Sequence, residues 1–412
     1  MKIWRVGGAV RDRLLGRPVE DVDWVVTGAT PEQMAEQGYK PVGKDFPVFL
    51  HPKTHEEYAL ARTERKVARG YGGFSFNTDP SITIEQDLAR RDLTINAMAE
   101  DVDGLIIDPY GGQRDLEARV LRHVSEAFVE DPLRVLRIAR FAARFAHLGF
   151  RIAGETCDLI RRIGESGELD ALVPERVWVE TRKALSEPDP QVYFESLRDC
   201  GVLKQLFPEI DALFGVPQTE KYHPEIDTGV HVMMVLKQAA LLGCDVDTRY
   251  AALTHDLGKA TTPKEILPGH RGHEQRGLKI LRRLNQRLKV PKAPAELALL
   301  TCQYHTHVHR IYEMRPDTIL RFLQDTDSFR RLERFYKFTR ACLADARGRL
   351  GFEDDPYPQA DYAWRLAQAM NRLDLTPVIE SGLKGKALGE AIRAYRLQYL
   401  KTLIEPEPPA AD

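Results

Sequence analysis

The sequence predicts an α+β protein, a small head that mixes short strands with helices followed by an all-α remainder. Three observations lead there. The first 125 or so residues interleave β-like runs with helix starts. From about Asp131 the apolar spacing is helical, with few strand signals. No apolar run approaches the roughly 20 residues that span a bilayer. At about 150 residues per domain, 412 residues divide into two or three domains, long enough to bury several cores without covalent staples. Breaks in pattern suggest units at 1–125, 126–215, 216–350 and 351–412.

In the head, Trp4–Val6 and Trp24–Val26 read as strands, as do Val48–His51 and Glu57–Ala61. Thr30-Pro31-Glu32-Gln33 opens a helix, with Thr30 as N-cap, Pro31 at the first helical position and Gln33 closing a capping box. Residues 66–80 are Gly-rich and polar and read as a mobile loop. Pro132 opens the next helix, on which Leu133, Leu136, Ala139, Ala143 and Ala146 share an inward face. Arg134, Arg137, Arg140 and Arg144 lie on the adjoining face. The tail is helical in pattern and ends in Glu405-Pro-Glu-Pro-Pro, which should fray.

Composition narrows the function classes. Lys+Arg is 59 and Asp+Glu 61, a formal charge of −2, which excludes a polybasic coating protein and leaves only local basic patches for nucleic acid. Hydrophobic residues at 43% and charged residues at 29% are those of an ordinary globular chain. The five cysteines are widely separated, without a CxxC pair, which argues against a secreted disulfide framework and a zinc ribbon. Met1-Lys-Ile-Trp-Arg has no signal-peptide core, so the expectation is a cytoplasmic protein with no membrane partner, monomer or homodimer.

Several motifs carry chemistry. Gly7-Gly8-Ala9-Val10-Arg11-Asp12 follows a strand; the glycines let backbone approach a phosphate, and the next helix offers N–H groups and a positive dipole end. Alone it is a common strand-to-helix connector. Asp21-Val22-Asp23 enters a strand, on which residues two apart share a face; two carboxylates there suit Mg²⁺. Alone it is a solvated acidic turn. Glu57 on a neighbouring strand would be a third carboxylate, and is equally a solvated strand end. Arg90-Arg91-Asp92-Leu93-Thr94-Ile95-Asn96-Ala97 reads as helical and offers Arg91 to a triphosphate.

In this order and spacing, with Glu130-Asp131-Pro132-Leu133-Arg134, these motifs resemble those of bacterial class II tRNA nucleotidyltransferases, the CCA-adding enzymes. The resemblance includes Asp45–His51 and Thr54–Arg65. It implies a nucleotidyltransferase head and a helical neck and body. It implies that Asp21 and Asp23 hold Mg²⁺; Glu57 stays the residue-level candidate for a third catalytic carboxylate. Gly8, Arg11, Arg91, Arg137 and Arg140 would contact CTP or ATP, and Asp131 and Arg134 would read the base. Base reading has a physical rationale. Cytosine and adenine present an amino donor beside an acceptor nitrogen; uracil and guanine present a carbonyl beside an N–H. A carboxylate only accepts and a guanidinium only donates, so one Asp/Arg pair suits C and A and is left unpaired against U and G. The implied partner is tRNA, met by a limited basic patch that includes Arg151, Arg161, Arg162, Arg176 and Arg182. The Gly-rich loop at 69–73 is the expected moving part in the switch from C to A.

Further along, His231, the His255-Asp256 pair and Asp345 resemble the H…HD…D ligand set of HD-superfamily phosphohydrolases. Imidazoles with carboxylates suit a divalent transition metal such as Ni²⁺ better than Mg²⁺. His270, His273, His305, His307 and His309 are phosphate contacts or bystanders, with His305 and His273 foremost. The likeness to CCA-adding enzymes that carry an HD unit runs along nearly the whole chain and implies hydrolysis of 2′,3′-cyclic and 2′-phosphates. The rivals are a poly(A) polymerase, an HD nucleotidase whose N-terminal unit recruits tRNA, and a binding protein with inactive sites.

Overall fold

The computed structural model describes residues 1–19, 21–42, 48–66 and 74–405. The Gly-rich segment 69–73, Asp45–Pro47 and the chain beyond 405 lie outside them. Two compact units divide at Leu206/Phe207.

The first unit begins β1 (Lys2–Val6), α1 (Gly8–Leu14), β2 (Asp23–Thr27), α2 (Pro31–Glu36), β3 (Lys40–Val42), β4 (Val48–Leu50), β5 (Glu57–Leu60), β6 (Thr63–Lys66) and β7 (Phe74–Asn77). It continues through α3 (Ile84–Ala89), β8 (Ala99–Glu100), β9 (Ile106–Ile107), α4 (Gly112–Glu117) and β10 (Val120–Leu121). Then come α5 (Leu133–Phe145), β11 (Arg151–Ile152), α6 (Gly154–Glu165), α7 (Pro174–Ser186), α8 (Gln191–Asp199) and α9 (Leu203–Leu206).

Among the described residues a seven-stranded sheet runs β3-β4-β5-β2-β1-β8-β9, with β2 and β5 parallel and its other neighbours antiparallel. The two-residue period of a strand sorts its side chains. Val25 packs with Trp4, Val6, Ile84 and Leu88, whereas Val26 packs on the other face with Met34, Phe49, Tyr58 and Leu60. The expected capping box is present: Thr30 Oγ1 accepts from the Gln33 N–H at 3.3 Å, and Gln33 Oε1 accepts from the Thr30 N–H at 2.9 Å.

Two local expectations change. β2 starts at Asp23, so Asp21 stands just before the strand rather than on it. β1 pairs only as far as Val6 with Asp23, because Gly7 turns the chain into α1, and no pairing extends back to Asp21. Likewise α3 ends at Ala89, and Arg91 lies beyond its C-cap. The helix from Pro132 forms as expected; Leu133, Leu136, Ala139 and Ala143 are buried and Ala146 is partly exposed. Its arginine face is not solvated: Arg134 and Arg140 are buried, Arg137 and Arg144 half-buried.

The cysteine spacing gives no hint of a bond, yet Cys157 and Cys200 are joined as a disulfide, with Cα atoms 4.8 Å apart. The cause is tertiary: Gly201 and Val202, just after α8, lie against Arg161 and Gly164 of α6. Cys244, Cys302 and Cys342 are free and buried.

The second unit contains α10 (Pro208–Asp211), α11 (Thr228–Leu241), α12 (Val246–Thr254), α13 (His273–Arg287), α14 (Lys292–His309), α15 (Pro316–Asp325) and α16 (Leu332–Arg347). It closes with α17 (Pro358–Arg372), α18 (Thr376–Ile379) and α19 (Gly385–Leu403). Asp227 and Asp245 cap α11 and α12 through the Val230 and Thr248 N–H groups, at 3.0 and 2.9 Å. Val235 and Ala239 of α11, Ala252 of α12 and Ala344 of α16 form a shared core. Among the described residues no helix is long and apolar enough to cross a membrane.

Candidate active sites

In the head, Gly7 has φ +69° and is the hinge between β1 and α1. A Cβ there would lie 2.9 Å from Arg91 Nη1 and 3.9 Å from Asp23 Oδ2, so a bare backbone separates a cation from a carboxylate. Asp21 and Asp23 are exposed at the mouth of β2. The parallel pairing of Trp24 with Tyr58 sets Glu57, also exposed, one step back on β5 opposite Asp23. Asp21, Asp23 and Glu57 are not gathered into a cluster of three ligand atoms, all within 4.8 Å of one another. Carboxylates in water repel, and a hard ion takes further oxygens from a triphosphate and from water. The oxygen-only donor set at Asp21 and Asp23 fits Mg²⁺ on those terms.

Around this mouth, arginines and buried carboxylates alternate. Arg11 is buried, bonded to Asp12 through Nε (2.9 Å) and Nη2 (2.8 Å) and to Asn96 Oδ1 through Nη1 (2.6 Å). It also stacks near Phe141 and Phe145, and a Cβ at Gly8 would lie 3.3 Å from its Nη2. Asp87, fully buried, accepts from the Arg62 N–H, from Arg90 and, at 3.4 Å, from Arg91 Nη2. Burial alone would raise its pKa, but the charges of Arg90 and Arg91 carry it below the usual carboxylate range. Asp92 accepts from Arg137 at 2.8 Å and from Asn96 at 3.1 Å. Burial works against its charge, yet Arg137 and those hydrogen bonds hold it down at about 2.

Arg140 donates to Glu180 at 2.8 Å, and Glu187 stands 3.6 Å away. Arg134 donates to the Ala127 and Arg90 carbonyls at 2.8 and 2.6 Å. Asp131 accepts from the Leu133 N–H at 3.1 Å, with Arg176 at 3.8 Å. The expected nucleotide residues therefore belong to one charge lattice, with Arg11 and Arg140 buried in it and Arg91 at its edge. Asp87 and Glu180, which order this lattice, carry no local motif. Only the fold shows them as counter-charges to the arginines.

The second unit brings all four expected ligands together. His231 lies in the first turn of α11, His255 and Asp256 just after α12, and Asp345 in the last turn of α16. His231 Nε2 is 3.1 Å from Asp345 Oδ1 and 3.8 Å from Asp256 Oδ2. His255 Nε2 is 3.1 Å from Asp256 Oδ2 and 3.4 Å from Asp345 Oδ1. The far sides of both rings face acceptors: His231 Nδ1 meets the Gly348 carbonyl at 3.0 Å and Glu225 at 2.9 Å, and His255 Nδ1 the Ala252 carbonyl at 2.7 Å. Acceptors at Nδ1 direct each Nε2 lone pair inward, the orientation of a metal-binding imidazole.

His255 Nε2 is buried and makes no hydrogen bond. Burial opposes a charge on His255, but Asp256 and Asp345 outweigh it and raise its pKa to about 10. The pocket thus demands positive charge, and this mixed nitrogen and oxygen set fits a transition metal. Lys259 Nζ lies 2.7 Å from Asp256 Oδ2, and His309, expected only as a phosphate contact or bystander, places Nε2 2.8 Å from Asp345 Oδ2.

Comparison with known proteins adds three family matches: Poly A polymerase head domain over residues 3–122, the probable RNA and SrmB-binding site of polymerase A over 149–214, and HD domain over 228–332. The multifunctional CCA protein of Thioalkalivibrio sulfidiphilus is 60% identical over 98% of this chain and 98% of its own. That of Pseudomonas fluorescens is 59% identical over 99% of this chain and 100% of its own. The CCA-adding enzyme of Bacillus stearothermophilus in complex with CTP shares the fold at TM-score 0.64 and 24% identity, over 98% of this chain and 90% of that one. The Thermotoga maritima CCA-adding enzyme complexed with tRNA does so at TM-score 0.61 and 22% identity, over 97% and 87%.

Proposed function

This chain belongs to the family of multifunctional CCA proteins, and from that premise we propose that its head adds the 3′-terminal CCA of tRNA from CTP and ATP without a template. The observation that carries the reading is the pairing across Gly7, a carboxylate on one side and a guanidinium on the other at the start of a helix. Asp21 and Asp23 hold Mg²⁺, which when bound supplies Lewis-acid charge at the triphosphate and the attacking 3′-hydroxyl. Arg91, steadied by Asp87, meets the triphosphate. Arg11, locked by Asp12 and Asn96, fixes the first turn of α1 beneath Gly8. Arg137 and Arg140 extend the cationic wall along α5. Arg134, held by two backbone carbonyls, and Asp131 present the fixed donor and acceptor that read the base.

The exposed Arg151, Arg161, Arg162 and Arg182, with half-buried Arg176, supply phosphate contacts for tRNA. In the HD unit His231, His255, Asp256 and Asp345 hold a transition metal, and the unit hydrolyses 2′,3′-cyclic and 2′-phosphates. Glu57 is the weakest member of the catalytic set, since it is exposed and ungathered. A cytoplasmic location fits a tRNA substrate.

The test is incubation of tRNA lacking its 3′ end with Mg²⁺ and all four nucleoside triphosphates, followed by end sequencing. The reading expects three added nucleotides, CCA; a long A tract supports a poly(A) polymerase, and no addition supports a recruiting unit. Asp131→Ala is expected to admit UTP and GTP, lowering discrimination by about 5- to 150-fold, the equivalent of roughly 1–3 kcal/mol for one unpaired buried group. Unchanged discrimination removes the base-reading role.

A further inference from the structure

We propose that Tyr222 is a stacking platform for a nucleobase at the rim of the HD pocket, so that the unit takes phosphate esters of nucleosides in preference to other phosphate esters. The proposal rests on the hydrolytic reading of this unit given above and names the part of the substrate that lies beyond the metal ligands.

The chain between Gly215 and Thr228 is a clasped loop. Pro217 and Asp227 form an antiparallel bridge, the Gln218 N–H donates to the Ile226 carbonyl at 2.7 Å, and the Gly215 N–H donates to Asp227 Oδ2 at 2.6 Å. Ile226 closes the loop at φ +59°, a left-handed conformation that is costly for a β-branched residue. Three side chains of the loop reach toward the pocket. Gln218 Oε1 accepts from Lys259 Nζ at 2.6 Å, the His223 ring centre lies 4.6 Å from that of His231, and Glu225 Oε1 stands 2.9 Å from His231 Nδ1. Tyr222 turns the other way and is 56% exposed.

Its backbone is nonetheless fixed. The Tyr222 N–H donates to the Thr219 carbonyl at 3.0 Å, and the Tyr222 carbonyl accepts from Arg349 Nη1 at 3.4 Å. Arg349 stands just beyond α16, the helix that carries Asp345, and the next N–H, that of Leu350, donates to Glu225 Oε2 at 3.2 Å. The loop tip is therefore tied to an element that supplies a metal ligand. The aromatic residue is one step, about 3.8 Å between Cα atoms, from the histidine packed on His231.

An exposed tyrosine by itself is ordinary. This one is held by its backbone beside a pocket read as a phosphate-ester site, with its ring open to solvent. Every base carries a flat π-face, so an aromatic ring in that place binds the base of a nucleotide whose phosphate sits at the metal ligands, without regard to sequence. Lys221 Nζ, 5.4 Å from the centre of the Tyr222 ring, adds a positive charge suited to the phosphate of an adjoining nucleotide. The ligand class is a nucleoside 2′,3′-cyclic phosphate, free or at the end of an RNA.

The experiment measures hydrolysis by the full-length chain supplied with Ni²⁺. The substrates are adenosine 2′,3′-cyclic phosphate and methyl riboside 2,3-cyclic phosphate, which has the same ester and no base. Tyr222→Ala is expected to raise KM for the adenosine ester about 5- to 150-fold with kcat within about twofold, Tyr222→Trp to keep the parent KM, and neither to move KM for the base-free ester more than about twofold. Equal losses on both esters, or no change on either, overturn the platform. A tRNA ending in a 2′,3′-cyclic phosphate separates the two sources: a larger effect of Tyr222→Ala there than on the mononucleotide supports an RNA end, and an equal or smaller one supports a free nucleotide. A binding measurement keeps the platform distinct from the hydrolytic reading. Adenosine 2′-phosphate is expected to quench the fluorescence that Tyr222→Trp adds to the parent, and methyl riboside 2-phosphate to leave it unchanged. Quenching without hydrolysis overturns the hydrolytic reading and keeps the platform; hydrolysis without quenching overturns the platform and keeps the hydrolytic reading; neither overturns both.

Discussion

The head leaves Asp21 and Asp23 exposed, while the HD unit buries Asp256 and Asp345 among histidines whose outer nitrogens face acceptors. The head prebuilds a cationic frame instead, in which Arg11, Arg137 and Arg140 are each held by a carboxylate. On the function proposed above, the difference follows from what each site would await. A triphosphate brings both its own charge and its own oxygen ligands for a hard ion, so the protein must prearrange the arginines. A transition-metal centre takes most of its ligands from the protein, so those must be gathered in advance.

Reciprocal substitutions give the largest test of this contrast. Asp23→Ala is expected to lower CTP incorporation by about a thousandfold or more, with hydrolysis of a 2′,3′-cyclic phosphate within about twofold of the parent. The double variant His255→Ala, Asp256→Ala is expected to show the reverse. Loss of both activities in either protein would mean that the two chemistries are not separable. Assays of radiolabelled CTP transfer and of phosphate release from the same preparations decide it.

The smaller test concerns the frame alone. Asp92 has a pKa of about 2 in the folded head, against an ordinary 3.8. A depressed carboxylate contributes stability that is fully present above its unfolded pKa and is lost as pH falls through the folded one. Between pH 5 and pH 3 this pair should cost the head about 1 kcal/mol. Asp92→Asn should flatten that part of the denaturation profile, measured in urea. An unchanged slope would mean that the Asp92–Arg137 pair does not hold the frame.

Much of this was legible in the sequence because it is local. The capping box at Thr30, the Gly7 hinge and the arginine spacing along α5 all depend on neighbours within a turn. The HD ligands were legible through resemblance, since their separations in sequence carry no geometry. What escaped depends on contacts between distant segments. Asp87 and Glu180 look like ordinary helix acids until Arg91 and Arg140 are brought to them. The Cys157–Cys200 bond joins residues 43 apart. The end of pairing at Asp23 is equally non-local, because strand length is set by the partner: β1 stops at Val6, and the motif itself cannot say so.

On the proposed function, protein groups in the head, rather than a nucleic-acid template, hold and choose the nucleotide. A crystal of the full chain grown with CTP and Mg²⁺ tests it most directly. The account predicts the triphosphate over Gly7 and Gly8, Mg²⁺ on Asp21 and Asp23, and the cytosine edge against Asp131 and Arg134. CTP bound elsewhere, with those two aspartates facing bulk water, would contradict it.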